Sequence, residues 1–170
     1  MAEALLGGMI AKGWSKAAEL HVVEPVLERR TMLADAHPGL SVGVAPVPQT
    51  DAVLAVKPQI APEVLPALAE ASVPRVLSIA AGITTATMEA ALLEGTSVVR
   101  SMPNTPALVG QGMAAIAPGA NATDADLEWA SSILTAVGKV VVVAEPVIHA
   151  SGPSEASTPP LLLRLDSNLR

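Results

Sequence analysis

Short apolar runs alternate with helical patterns from residue 20 to residue 143, and this alternation constrains the fold more than any other feature. "LHVVE" (20–24) reads as a strand and "PVLERRTMLADA" (25–36) as a helix with Pro25 in its first turn. Pro38-Gly39 then turns the chain into "LSVGVA" (40–45). "DAVLAVK" (51–57) is nearly all apolar, as a strand buried on both faces of a parallel sheet should be. Helix 62–71, strand "RVLSIAA" (75–81), helix 84–95 and strand "SVVRSM" (97–102) follow. "MAAIAP" (113–118) is a short strand, helix 123–136 opens on a Thr123/Asp126 capping box, and "KVVVVAE" (139–145) is the last predicted strand. Strands separated by helices imply right-handed crossovers, hence an α/β, doubly wound, mostly parallel sheet.

Composition narrows the function. Half of the 170 residues are apolar, yet Phe, Tyr and Cys are absent, so the core must be aliphatic. Without cysteine there are no disulfides or thiolate metal sites, which fits a reducing cytoplasm. A net charge of −6 with scattered basic residues argues against a nucleic-acid partner. No apolar run approaches the ~20 residues of a membrane span. The opening "MAEALLGGMIAKGW" lacks the basic start and small-residue cleavage site of a signal peptide. It reads instead as a helix already running at residue 1, with Gly13 as a left-handed stop. Gly7-Gly8 inside it costs ~1 kcal/mol per glycine against alanine unless close packing on a sheet offsets it.

Several stretches bear on ligands. Ala2 can be the last position of a G-x-G-x-x-G/A fingerprint, or simply the start of a helix. Glu24 lies ~20 residues further on, at a strand end, where an acid can hold a ribose hydroxyl. Arg29 and Arg30 follow, to meet a 2′-phosphate or to solvate a helix face. "AVKP" places Ala55, Val56, Lys57 and Pro58 at the carboxyl edge of the sheet, where open α/β sheets bind ligands. "SIAAG" ends a strand in the small residues Ala80 and Ala81, which lets a cofactor pass close or lets a helix pack tightly. In "SMPNTPALVGQGM" two prolines fix the loop around Asn104. The three histidines lack metal-ligand spacing and no metal is expected.

"AVKP", "SIAAG", "VVRSMPNTPALVGQGM" and "VGKVVVVAEPVIHA" together resemble pyrroline-5-carboxylate reductase, from Met1 to about Ala150. The resemblance implies a Rossmann-like domain binding NADPH or NADH, then a helical domain that forms a homo-oligomer and completes the active site. It implies hydride transfer to the C=N bond of 1-pyrroline-5-carboxylate, giving proline, with the cofactor carrying the chemistry. By position, Met1 and Ala2 match the end of the glycine fingerprint. Glu24, Arg29 and Arg30 match the adenosine-ribose region, and Ala55, Val56, Lys57 and Pro58 the loop against the cofactor. Ala80, Ala81 and Asn104 match the surroundings of the nicotinamide, and Glu145 an acid adjacent to the substrate site. No catalytic residue is assigned, because the family's substrate site lies in the second domain.

Against that pattern the chain is expected to be incomplete. The first strand and glycine-rich loop would precede Met1, and the helical dimerisation domain is expected to be absent. Residues 1–149 are expected to form the Rossmann-like domain. "ASGPSEASTPPLLLRLDSNLR" (150–170) is expected to be a divergent, disordered tail without a fold of its own. The reading is thus a reductase by descent, weakly active or inactive alone. The alternatives are a non-catalytic remnant that binds a nucleotide or a full-length subunit, and a related Rossmann reductase of another imine or a hydroxy acid.

Overall fold

The structure, a computed structural model, describes residues 1–104, 112–150 and 161–165. The expected alternation is present. Helix α1 (Ala2–Ala11) leads through a 3₁₀ turn to β1 (Leu20–Val23), α2 (Leu27–Ala36) and β2 (Ser41–Gly43). There follow β3 (Asp51–Ala55), α3 (Ala61–Glu70), β4 (Arg75–Ser78), α4 (Thr85–Ala91) and β5 (Ser97–Pro103). The described chain continues with β6 (Gly112–Pro118), α5 (Asp124–Leu134), β7 (Gly138–Val142), α6 (Glu145–Ala150) and β8 (Leu161–Leu165). They form one sheet in the order β2-β1-β8-β3-β4-β5-β6-β7.

The apolar runs of β3, β4 and β5 are explained by burial on both faces. Val53, Leu77 and Val99 face one core with Leu5, Leu6 and Met9 of α1 and Ile133 and Leu134 of α5. Their neighbours Leu54, Val76 and Val98 face the other core with Leu65 and Leu68 of α3 and Met88 of α4. Successive side chains point to opposite faces, so a strand between two helical layers is predominantly apolar on both. Gly13 ends α1 as expected: at φ +70° it lets Trp14 N–H reach Met9 O (2.9 Å) and its own N–H reach Ile10 O (3.1 Å). Thr84 caps α4 by accepting from Thr87 N–H (3.0 Å), and the Thr123/Asp126 capping box opens α5.

Four features differ from the sequence reading. First, β6 runs antiparallel to β5, and β7 is parallel to β6. Only residues 104–111 separate β5 from β6, too few for the crossover of a dozen or more residues that a parallel pair needs. Second, close packing accounts for one glycine of the Gly7-Gly8 pair. A Cβ on Gly8 would lie 2.9 Å from Ala136 O and 3.1 Å from Val137 Cγ1, beside the end of α5, whereas one on Gly7 would meet nothing within 4 Å. Third, Glu145 begins α6 and does not end a strand.

The fourth difference is β8. The segment 150–170 is too short to bury itself alone, but five of its residues enter the sheet between β1 and β3, antiparallel to both. Leu163 pairs with Val22 on one side and Val53 on the other. An existing gap between two strands supplies both sets of backbone partners, so no independent fold is required.

Candidate functional site

β1, β2, β3, β4 and β5 all run the same way, so their carboxyl ends form one edge. The chain leaves β1, β3 and β4 there for the first turns of α2, α3 and α4. At the end of β1, Glu24 is completely buried. Its N–H donates to Gly43 O (2.9 Å) and its Oε1 accepts from Val26 N–H (2.9 Å). Oε2 is buried and has no hydrogen-bond partner among the described residues. A buried oxygen of this kind costs free energy unless something donates to it.

The two arginines expected to act with Glu24 are engaged elsewhere. Arg29 pairs with Glu3, which ties the first turn of α2 to the first turn of α1. Arg30 Nη1 donates to two main-chain oxygens, Glu24 O (2.9 Å) and Pro25 O (2.8 Å), and so holds the turn that leaves β1. Through the Arg29–Glu3 pair, Met1 and the buried Ala2 come to the same edge as Glu24. Glu3 itself carried no signal in the sequence beyond a charge in a first turn.

Val23 and Pro25, on either side of Glu24 in the chain, border a mostly apolar cleft of about 280 Å³ that Glu24 itself does not line and that Glu63 also borders. Val23 and Pro25 form one wall, Val44 and Pro46 another, and Val56, Ile60 and Val64 the third. Of the "AVKP" stretch, Val56 lines this cleft. Ala55 is half-buried, Val56 is buried, and Lys57 is exposed where the chain leaves β3 for α3. Lys57 O accepts from Ile60 N–H (2.9 Å), a turn that Pro58 stiffens. At the neighbouring strand end Ala80 is buried, with its N–H 3.3 Å from Ser78 Oγ, and Ala81 is half-buried. Ile79 N–H donates to Leu54 O (3.0 Å), which locks the exits of β3 and β4 together.

Asn104 stands apart from this row, on the far side of β5 from the cleft. It braces the connection to β6: its N–H donates to Met113 O (3.1 Å) and its Oδ1 accepts from Met113 N–H (2.9 Å). The rest of the proline-punctuated loop, 105–111, lies outside the described residues.

Glu145 has a different setting from the one that its position in sequence suggests. Its Oε1 and Oε2 accept from the N–H and hydroxyl of Thr85 (both 2.8 Å), at the N-terminus of α4. Oε1 also accepts from the buried Arg100 in the middle of β5 (3.2 Å). Burial pushes the carboxyl upward, but the two Thr85 bonds and Arg100 outweigh it and hold the group below its ordinary value. The sequence reading missed Arg100 and Thr85. A charged residue inside the apolar run "SVVRSM" was the available signal, since a buried arginine demands a carboxylate.

No helix among the described residues is long and apolar enough to cross a membrane. The fold and its carboxyl edge define a Rossmann-like α/β unit. In sequence the chain is similar to pyrroline-5-carboxylate reductases. It is 37% identical over 165 residues to the pyrroline-5-carboxylate reductase of Haemophilus influenzae, a match that takes in 94% of this chain and 60% of that protein. Among solved structures it is similar to a pyrroline-5-carboxylate reductase from Coxiella burnetii (27% identity, TM-score 0.76), covering 84% of this chain and 55% of that one. The fold is shared with a pyrroline carboxylate reductase of Plasmodium falciparum with NADP bound (24% identity, TM-score 0.69; 85% and 54% covered). The chain thus spans less than two thirds of the proteins it matches. No family model matches it.

Proposed function

We propose that this chain provides the NAD(P)H-binding part of a pyrroline-5-carboxylate reductase. The observation that carries the reading is Glu24 Oε2, a buried acceptor without a partner among the described residues at the end of β1, whose chain neighbours Val23 and Pro25 line a cleft. A dinucleotide supplies what that corner lacks: ribose hydroxyls that donate to a carboxylate and a flat base for the cleft. On this reading Glu24 holds the adenosine ribose, and Ala55, Val56, Lys57 and Pro58 flank the cofactor. Met1 and Ala2 border the pyrophosphate, and Ala80, Ala81 and Asn104 border the nicotinamide end. When bound, the nicotinamide supplies a hydride for the C=N bond of 1-pyrroline-5-carboxylate. The chain's own residues bind and orient it. Glu145, held by Thr85 and Arg100, braces α6, which leads toward the substrate side.

The same corner supports the bare ribose of NADH over the 2′-phosphate of NADPH. A carboxylate repels a phosphate, and the arginines that could have neutralised it are spent on Glu3 and on the Glu24 and Pro25 carbonyls. Titration of the chain with each dinucleotide, followed by nicotinamide fluorescence, tests the reading. NADH should bind more tightly than NADPH, and absence of binding by both overturns it. With 60% of the length of its relative, the chain alone is expected to oxidise NADH slowly or not at all with pyrroline-5-carboxylate. Turnover near that of a full-length reductase would contradict this. We assign it to the cytoplasm, and place any homo-oligomer contacts in the part of the family's length that it does not span.

A further inference from the structure

We propose that Leu161–Leu165 is the keystone of this sheet: a strand docked in cis into a strand-accepting slot between β1 and β3. The inference rests on the sheet and is independent of the cofactor reading. Doubly wound dinucleotide-binding sheets have the strand order 3-2-1-4-5-6. Here β2, β1, β3, β4 and β5 fill positions 3, 2, 4, 5 and 6, all parallel, and β8 holds position 1 in the opposite sense. β1 and β3 do not pair with each other. Each gives its inner side wholly to β8, over Leu20–Val23 and Asp51–Ala55 respectively.

The slot is a demanding place to leave empty. Leu20, Val22, Val53 and Leu54 are 0–1% exposed, and α1 packs across β8. Water could not reach the main-chain groups of two such strands without opening the core. The connection is long enough for occupation by the same chain. Residues 151–160 join α6, which packs on β5 and β6, to β8, three strands away from β5. Three strand spacings are about 14 Å, and ten residues reach up to about 33 Å. "SGPSEASTPP" holds no large apolar side chain to compete for the core, whereas "LLLRL" does. The first residues of β8 pair with Val23 and Ala55, so the strand also spans the two sides of the carboxyl edge where Glu24 and the "AVKP" turn lie.

The chain has no cysteine, so a single introduced pair reports its own geometry. Three double variants of the full chain, oxidised under mild conditions and run on non-reducing gels, test the proposal. Val22→Cys with Leu163→Cys and Val53→Cys with Leu163→Cys each place cysteines at directly opposed antiparallel positions, and each should form an intramolecular disulfide. Val22→Cys with Val53→Cys should not, because the strand between keeps them about two spacings apart, some 10 Å. Failure of the first two pairs overturns the proposal. So does a disulfide in the third, which would mean that β1 and β3 close on each other. Covalent dimers from the first two would overturn docking in cis. Hydrogen exchange of the unmodified chain gives a check free of substitutions. Amides of 162–164 should exchange as slowly as those of β1 and β3, and free exchange there with β1 and β3 still protected overturns the keystone role.

Discussion

Glu24 and Glu145 are the two acids that the sequence singles out, and the regions around them are built to opposite ends. Around Glu145 every acceptor is used: two bonds come from Thr85, and the buried Arg100 supplies the countercharge. Around Glu24 one oxygen is used on Val26 N–H and the other is sealed in without a donor. Both groups are paid for by the fold, but only the first returns stability to it. A satisfied buried acid is part of the frame, whereas one with an unpartnered oxygen at a strand end can still accept from a ligand group.

That contrast is broken most directly by removing Glu145. Glu145→Ala takes away the carboxylate that faces Arg100, a side chain 1% exposed, and with it the acceptor for the Thr85 N–H at the start of α4. The expected loss is about 2–3 kcal/mol, less than the about 3–5 kcal/mol of a fully buried pair because Glu145 is itself partly exposed. Urea unfolding at neutral pH measures it, and a change below about 0.5 kcal/mol would return Glu145 to the list of free site acids.

Acid should reproduce part of that loss. Burial raises the carboxyls of Glu145 and Asp126, but hydrogen bonds from Thr85 and from Thr123 and Ser97, with Arg100 and Arg75 nearby, hold both below their ordinary values of 4.5 and 3.8. For a depressed carboxyl the stabilisation is fully present above the unfolded value and is lost as pH falls through the folded one. The urea midpoint should therefore be flat from neutral pH down to about 5 and should fall below about 4.5. Glu145→Gln should fall less steeply than the parent chain over that window. Parallel curves would remove Glu145 from the acid response.

What the sequence made legible follows from how local each signal is. β3, β4 and β5 could be read from "DAVLAVK", "RVLSIAA" and "SVVRSM" because burial on both faces leaves its mark on every residue. The α5 capping box and the Gly13 stop were legible for the same reason, since both are made within a few residues. β8 was not, because "LLLRL" has no meaning until β1 and β3, some 110 to 145 residues earlier, leave a gap of its width. The partners of Arg29 and Arg30 were illegible in a similar way. Adjacent arginines after an acid suggest phosphate, but Glu3 lies close enough to take one, and the carbonyls of Glu24 and Pro25 take the other.

The Glu24 side of the contrast is sharpened by Glu24→Gln, whose effect on folding should be smaller than that of Glu145→Ala. The amide oxygen can still accept from Val26 N–H, so the unfolding midpoint should move by less than about 1 kcal/mol. Binding should respond more: a hydroxyl bond to a charged group is worth about 1.5–3 kcal/mol, so NADH affinity should fall about tenfold or more. NADPH affinity should hold or rise, because the charge that opposes its 2′-phosphate is gone. Equal loss for both dinucleotides would place Glu24 among the frame residues with Glu145.

The smallest expected effect is that of Arg30→Ala. Its guanidinium holds the buried Glu24 carbonyl and the exposed Pro25 carbonyl of the turn after β1, and water can enter where the side chain is removed, so the folding change should be about 0.5–1 kcal/mol. If Arg30 serves the turn and not a phosphate, the variant should bind NADH and NADPH in the same ratio as the parent chain. The salt dependence of NADPH binding should also be unchanged, since a lost phosphate pair would flatten it. A selective fall in NADPH affinity would show that Arg30 leaves its carbonyls when a 2′-phosphate arrives, and Glu24 would then share its corner with a second cofactor.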